Sequence, residues 1–449
     1  MNILSQVRSI CHRPMIRTVL IVLMAWGIIS CQVASALEVP QSPFRFVGKD
    51  LDVLLLDGEP KKEMEALFRE RFFSPWNREY PQITASESLW AWEQWKDSEP
   101  WGENLRPHSP GWMRSLLENC SINNWGRLSL KAVACVETDL RALPTSRPFF
   151  RNPSLAGEGF PFDYLQNSRV KGGEPLFAGH YSADGAWVFV ETGYNAGWVD
   201  ARDIAFIDDD LADRWKGSRL AFFTEDEVPL RDDGGLFRFM GRIGTVLPLL
   251  SGGSGGPMRV GIPIRDHKGS ADMSEAQVHP GQASDGGLPL TRWNVAKVMD
   301  RILGTPYGWG DSGGNRDCSG SVRDIFTVFG IWLPRNSAAQ ARAFPHVNLD
   351  GEKTERKEER IVLEAFPFIT LLRVPGHIMV YLGTFRGVPC VFHSVWGVRT
   401  LKDGAEGRHV IGSAVITTLR PGQDVAGFDL SRGDLADRIT EMTFLVTGP

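Results

Sequence analysis

The sequence predicts an α+β chain of several domains. A helical N-terminal region precedes two small β-barrels and a C-terminal domain whose cysteine-bearing helix packs on an antiparallel sheet. Three observations carry this expectation. A chain of 449 residues exceeds one ordinary domain. Forty-seven Gly and 28 Pro call for many turns, while 42% hydrophobic residues, with 15 Trp and 25 Phe, supply several cores. The apolar pattern is helical at the start, strand-like from about residue 126, and mixed after 287. A net charge of −5 without a dense basic stripe excludes nucleic acid as the main partner.

Residues 1–36 read as an export signal rather than as part of the fold. Arg8, Arg13 and Arg17 form its positive end, and residues 18–29 are mostly apolar but too few for a membrane span. Two endings fit. Ile28-Ile29-Ser30-Cys31 has the form of a lipobox, which would make Cys31 a lipid anchor; Ala34-Ser35-Ala36 has the form of an ordinary cleavage site. Cys31 follows the apolar run directly, which favours the lipoprotein. Either ending sends the chain to the periplasm or cell envelope. Cys120, Cys135, Cys318 and Cys390 remain in the body, and the first two can close a short disulfide loop in an oxidising compartment.

Residues 37–125 look like a helical clamp. Residues 61–72 are charged and amphipathic, and Trp90, Trp92 and Trp95 cluster ahead of Trp101 and Trp112, a spacing more usual for core than for a ligand platform. Residues 126–208 read as the first barrel: 186–191 is a strand behind the turn Ala183-Asp184-Gly185, and Gly197-Trp198-Val199 follows a second turn. The aromatic loop 159–166 carries an acid, Asp163. Residues 209–286 read as a second barrel, with strand candidates at 221–223 and 245–250. The Gly-rich run 251–256 lacks the lysine of a phosphate-binding loop, and 280–287 looks like a linker. The last domain, 287–449, opens with a helix capped near Thr291.

The loop 307–316 is too rich in glycine for helix or strand. Beyond Asp317-Cys318-Ser319-Gly320, the apolar residues Val322, Ile325, Phe326 and Phe329 repeat at helical spacing, and Gly330 ends the helix. Cys318 therefore falls at a helix N-terminus, where free N–H groups and the helix dipole favour a thiolate. The bland alternative is a small buried core cysteine. His377 opens a strand that runs to Leu382, and a second strand, 388–396, carries His393. If the cysteine helix packs on that sheet, the three groups form one line. His377 would hold Cys318 as a thiolate–imidazolium pair and later protonate a leaving amine, and His393 would orient His377. The Cys318 N–H and the Tyr307 hydroxyl are candidates for an oxyanion hole. The residues alone leave three readings open: a thiol peptidase, a Cys/His/His zinc site, and structural coincidence.

The combination resembles the NlpC/p60 family of papain-like cell-wall cysteine peptidases. The resemblance rests on Tyr307-x-Trp309-Gly310, Asp317-Cys318-Ser319-Gly320, Gly330-Ile331-x-Leu333-Pro334-Arg335-x-Ser337-x-x-Gln340, Gly376-His377-Ile378-Met379-Val380-Tyr381-Leu382-Gly383 and Phe392-His393. It implies Cys318 as nucleophile, His377 as base, His393 as orienter, Tyr307 in the oxyanion hole, and no metal or other cofactor. Asp139-Leu140-Arg141-x-Leu143-Pro144-Thr145, loop 159–166, Trp187 and Trp198 resemble the first SH3-like domain of multidomain members, which combine a helical clamp, two SH3-like barrels and the peptidase. Those members are similar to γ-D-glutamyl-L-diamino-acid endopeptidases. The implied substrates are murein peptides of the L-Ala-γ-D-Glu-diaminopimelate type with a free N-terminal L-Ala, and the implied state is a monomer. Asp317, with Ser319 beside it, matches the position that pairs with the ammonium; Asp163 and Tyr164 are candidates for a further substrate contact. Two departures stand out. Thr370-Leu371-Leu372-Arg373-Val374-Pro375 precedes the His strand where the family has an acidic Gly-Asp-Leu segment, and the second barrel is hard to match. The rival functions are a non-catalytic wall-binding protein, a zinc amidase, and a broader thiol amidase or acyltransferase.

Overall fold

The structure is a computed structural model that describes residues 39–49, 51–253 and 255–446. The expected export signal, Cys31 included, lies outside the described residues.

The N-terminal helices form where the sequence provides caps. Asp57 caps Gly58–Phe72, and Thr84 with Glu87 forms a capping box on Ala85–Ser88. Trp90–Trp95 and Trp112–Asn119 follow. This region shares its apolar side chains among the other domains. Val39, Val47 and Leu56 enter the core of the C-terminal domain, Phe68, Phe72 and Trp76 that of the second barrel, and Ala91, Trp95 and Met113 that of the first.

In the first barrel Gln166–Val170, Thr138–Arg141, Ala196–Asp200, Trp187–Glu191, Pro175–Tyr181, Leu130–Ala134 and Ile204–Phe206 lie side by side in that order. Trp198 pairs across to Phe189, and both are buried. The second barrel is built on Arg219–Phe223, Val246–Gly252, Met258–Arg265 and Ala271–Val278, with a separate hairpin of Val228–Arg231 and Phe237–Gly241. Part of the expected linker is a strand: Ala283–Asp285 pairs with Arg219–Phe223 and covers a sheet edge that would otherwise be bare. Cys120 and Cys135 are both buried and both free, so the short disulfide loop is not formed.

The C-terminal domain opens with the helix Arg292–Ile302, capped by Thr291. Its sheet runs His346–Asn348, Glu441–Phe444, Thr370–Val374, His377–Phe385, Val388–Lys402, Ala405–Thr418. The second histidine strand is longer than the expected 388–396, because it pairs with Ala405–Thr418 as far as Lys402. The cysteine helix, Cys318–Thr327, packs Val322, Ile325 and Phe326 against Ile378, Val380, Leu382 and Phe392. Met379, Tyr381 and Val391, on the other face, are covered by Ile361, Leu435 and Ile439.

Apolar spacing predicts one buried face for the cysteine helix, yet all ten of its residues are buried. The polar face packs on the barrels and is neutralised there. Arg323 donates to Glu174 of the first barrel at 3.0 Å and lies 3.6 Å from the Tyr194 ring centroid. Asp324 accepts from Lys171 and from Arg316, each at 2.7 Å, and Arg316 reaches Asp226 of the second barrel at 2.7 Å. Charges this deep persist only when paired. Burial alone would raise the Asp324 carboxyl, but Lys171 and Arg316 outweigh it and hold it down to about 2.

Replacing Asp324 with Asn leaves two cations buried without their shared carboxylate and should destabilise the chain by about 3–5 kcal/mol. The folded carboxyl lies below its ordinary 3.8. Its stabilisation is therefore complete above that value and disappears as pH falls through the folded value. Unfolding measured near pH 6 and near pH 3 should show the gap between wild type and D324N narrowing in acid. A gap of constant size would sink this account.

Candidate active site

The glycine-rich loop becomes a kinked turn, Trp309–Gly314, with Gly310, Asp311 and Gly313 in left-handed conformations. At Gly310 the glycine is required twice: φ is +58°, and a Cβ would run into the Gln166 carbonyl. The close approach lets Gln166 donate to the Gly310 carbonyl at 3.1 Å, so the first barrel holds this turn. The turn in turn sets two carboxylates around one guanidinium, with Arg335 at 3.0 Å from Asp311 and 2.8 Å from Asp317. Burial pushes the Asp311 carboxyl up. It works against Asp317 as well, but Arg335 and the Gly320 N–H hold that carboxyl below its ordinary value.

Asp317 caps the cysteine helix, accepting from the Gly320 N–H at 2.7 Å and the Ser319 hydroxyl at 3.0 Å. Cys318 is the first residue of the helix and 8% exposed. Its own N–H has no intrahelical acceptor. The N–H groups of Ile378 and Ser319 lie near the sulfur and act to lower the thiol. Burial and the neighbouring Asp317 nevertheless push the thiol up to about 12, while burial and Arg438 pull the His377 imidazole down to about 4. Both shifts favour the neutral pair over the expected thiolate–imidazolium in the empty site. Burial is the main cause, and the Asp317 carboxylate that caps the helix N-terminus adds to it by opposing a second anion.

The histidines are placed differently from the single line expected. Strand alternation puts His377 on the face of Met379 and His393 on that of Val391, opposite the cysteine helix. Cys318 meets them at the strand's end, where the helix tip reaches the Ile378 N–H. Among the described residues no hydrogen bond joins the sulfur to the His377 ring. The two rings are joined to each other, His377 Nε2 to His393 Nδ1 at 2.7 Å. His393 Nε2 lies 3.0 Å from the Thr417 hydroxyl, which itself donates to the Thr418 carbonyl at 2.7 Å.

A carbonyl only accepts, so donor accounting assigns the whole chain. Thr417 uses its proton on Thr418 and must accept from His393 Nε2–H. His393 Nδ1 must then accept from His377 Nε2–H, which leaves His377 Nδ1 with a free lone pair. Thr417 has no motif of its own. Only the pairing of Ala405–Thr418 with the second histidine strand brings it to His393.

Two cavities flank this centre. One, of about 480 Å³, contains Cys318, Asp317, Ser319 and Arg335. The other, of about 460 Å³, contains His377 and His393. Tyr307, Trp309 and Gly376 line both. The Tyr307 hydroxyl has no hydrogen-bond partner among the described residues, and burial with Cys318 and Asp317 nearby keeps it protonated, a free donor. Tyr164 and Tyr194 of the first barrel and Trp90 and Trp95 of the N-terminal region wall the cysteine cavity, so the tryptophans expected as core also face the site. Asp163 is a correction. It is buried away from the cavity, accepting from Arg141 at 2.7 Å and from the Phe149 and Leu165 N–H groups at 2.9 and 3.0 Å, and it fixes the loop that presents Tyr164.

A helix-borne thiol, a histidine pair on an antiparallel sheet and walls lent by small barrels define a cysteine-peptidase domain embedded in SH3-like domains. Family profiles match the same segments: NlpC/P60 family over residues 304–394, NLPC_P60 stabilising domain, N term, over 19–125, SH3 domain (SH3b1 type) over 148–200, and SH3 domain of SH3b2 type over 208–252. The chain belongs to the NlpC/P60 family, in a form with a helical N-terminal region and two SH3-like domains. The second barrel, hard to match from sequence, is thereby the SH3b2 type. The chain is similar to a solved NlpC/P60 endopeptidase from Photobacterium damselae subsp. piscicida, at 26% identity and TM-score 0.81, covering 92% of this chain and 98% of that one. An NlpC/P60 family protein from Bacillus cereus ATCC 10987 shares 17% identity at TM-score 0.45, over 71% of this chain and all of that one. No curated protein sequence matches.

A neutral resting pair makes Cys318 alkylation depend on the scarce thiolate. In the intact chain, with Cys318→Ala as background, the iodoacetamide rate should climb about tenfold per pH unit from neutral into mildly alkaline solution. A plateau across that range would instead establish a resting ion pair. The relay has its own test in Thr417→Val, which removes the acceptor for His393 Nε2–H. Imidazole 15N spectra should show one tautomer at His393 in the wild type and a mixture in the variant; an unchanged spectrum would refute the assignment of Thr417.

Proposed function

We propose that the chain is an exported cysteine endopeptidase that hydrolyses the γ-D-glutamyl–diaminopimelate amide of peptidoglycan peptides with a free N-terminal L-Ala. The observation that carries this reading is the relay Thr418–Thr417–His393–His377, which leaves one lone pair free on His377, together with Cys318, among the described residues the only cysteine set at a helix start. Export rests on residues 1–36, and Cys31 is the proposed lipid attachment point.

In this mechanism His377 Nδ1 takes the Cys318 proton as the sulfur bonds to the γ-carbonyl carbon. Charge gathers on the carbonyl oxygen, facing the free Cys318 N–H and the Tyr307 hydroxyl. His377 returns the proton to the amine, the C–N bond breaks, and a thioester to the γ-glutamyl group remains. Water, deprotonated by His377, hydrolyses the thioester and restores the thiol. His393 and Thr417 keep the base in the required tautomer throughout.

Preference for a free amine has an electrostatic basis in the cysteine cavity. Asp311 and Asp317 share one Arg335, so one negative charge is left over beside Cys318. Asp317 already accepts from Ser319, Gly320, Gly310 and Arg335, so an ammonium would be held by this surplus field rather than by a vacant carboxylate.

Incubation with L-Ala-γ-D-Glu-meso-diaminopimelate, read by mass spectrometry, should yield L-Ala-D-Glu and free diaminopimelate. Cys318→Ala should abolish turnover, a chelator should leave it intact, and acetylation of the alanine amine should slow it by about tenfold or more. Turnover that survives Cys318→Ala would remove the mechanism; indifference to acetylation would remove the amine preference.

A further inference from the structure

The histidine cavity is built differently from its neighbour. Its walls come from the long hairpin Val388–Lys402/Ala405–Thr418 and from the segment that follows it, with Phe162 of the first-barrel loop as a cover. Its charged lining is four arginines, Arg399, Arg408, Arg432 and Arg438, and one carboxylate, Glu406. Arg399 absorbs that carboxylate, pairing with Glu406 at 2.9 Å and with Asp429 at 3.4 Å. The other three have no ion-pair partner among the described residues. Arg438 instead donates to the Arg432 main-chain carbonyl at 2.7 Å, which ties the two arginines into one unit, and Arg408 lies against Gly157 of the first-barrel loop. With Glu406 taken up by Arg399, the like charges of the other three arginines, gathered in a half-enclosed space, repel one another, and an anion would relieve them.

The chemistry of the site says which part of a substrate enters here. The group that receives a proton from His377 is the leaving amine, and His377 lines this cavity while Cys318 lines the other. The acyl side of the scissile bond thus occupies the cysteine cavity, and the residue released with the amine occupies the arginine-lined one.

We propose that this cavity is a carboxylate-binding subsite for the residue released by cleavage, with Arg432 and Arg438 as its principal ligands and Arg408 beside them. It rests on the peptidase reading above and adds to it a basis for choosing between stem peptides. A meso-diaminopimelate residue carries a carboxylate on its side chain, and a lysine in the same position carries only an amine. The arginines favour the first and repel the second.

The test uses the full chain and two peptides, L-Ala-γ-D-Glu-meso-diaminopimelate and L-Ala-γ-D-Glu-L-Lys. Wild type should show a kcat/KM ratio of about tenfold or more in favour of the diaminopimelate peptide, carried mainly by KM. Arg432→Gln should compress that ratio toward unity, Arg438→Gln should do the same, and Arg438→Lys should restore part of it. Equal turnover of both peptides by wild type, or a ratio that survives both Gln variants, would overturn the subsite. Calorimetric binding of the same peptides to Cys318→Ala protein separates this from the catalytic reading. If neither peptide is cleaved, the peptidase mechanism fails. The subsite still stands if the diaminopimelate peptide binds more tightly and Arg432→Gln removes the difference, and it falls if the two peptides bind alike.

Discussion

Asp324 lies between Lys171 of the first barrel and Arg316 of its own domain, and Arg316 continues to Asp226 of the second barrel. This buried network fixes where the cysteine helix can sit. A helix with one apolar face would ordinarily turn its charges to solvent. Here the charged face is the interface: Arg323 is paired by the first barrel, and Asp324 by Lys171 of the first barrel and Arg316, which the second barrel holds. Breaking such a network strands a charge in low dielectric, a far larger cost than losing one exposed pair. The barrels are therefore structural parts of the active site, and the N-terminal region, which sends side chains into all three cores, fastens them there.

Close docking has an electrostatic consequence. The barrel that holds the Gly310 turn also walls the cavity beside Cys318, which is 8% exposed, and burial disfavours the charged form of both the thiol and its base. Asp317 adds to this by capping the helix with a negative charge. Burial and the Asp317 charge thus favour the neutral thiol in the empty site; on the proposed mechanism its proton passes to His377 Nδ1, whose tautomer His393 and Thr417 fix. An enclosed neutral cysteine is also less open to oxidation than a standing thiolate.

The cysteine helix, both histidine strands and the Trp187 and Trp198 strands were legible because period and turn chemistry acted locally there. Residues whose placement depends on long-range pairing were not. Thr417 meets His393 only through strand register, and the tail of the second histidine strand is stabilised by a partner strand rather than by its own Gly- and Arg-containing sequence. Ala283–Asp285 reads as linker because its strand character comes from the edge it covers. The acid in the aromatic loop was visible, but its direction was not: buried Arg141 draws Asp163 inward and leaves Tyr164 at the cavity. Helix-dipole spacing predicts a lowered thiol at Cys318, but the preceding Asp317 takes the Gly320 N–H of the helix start, and burial and its charge push the thiol up instead.

The two cavities differ in their charged lining, Asp317 with Arg335 beside Cys318 and a majority of arginines beside His377, and they meet at Tyr307, Trp309 and Gly376. On the proposed reading, these charges would align a peptide with an ammonium at one end and carboxylates at the other before any close contact forms, and would penalise its reversed orientation. The aromatic walls and the barrel loop partly enclose both cavities, which weakens solvent screening of these charges. On that reading the orientation of the scissile amide across the sulfur would follow from how the domains distribute their charge, with the thiol and histidines supplying reactivity toward amides and the surrounding domains selecting which amide reaches them.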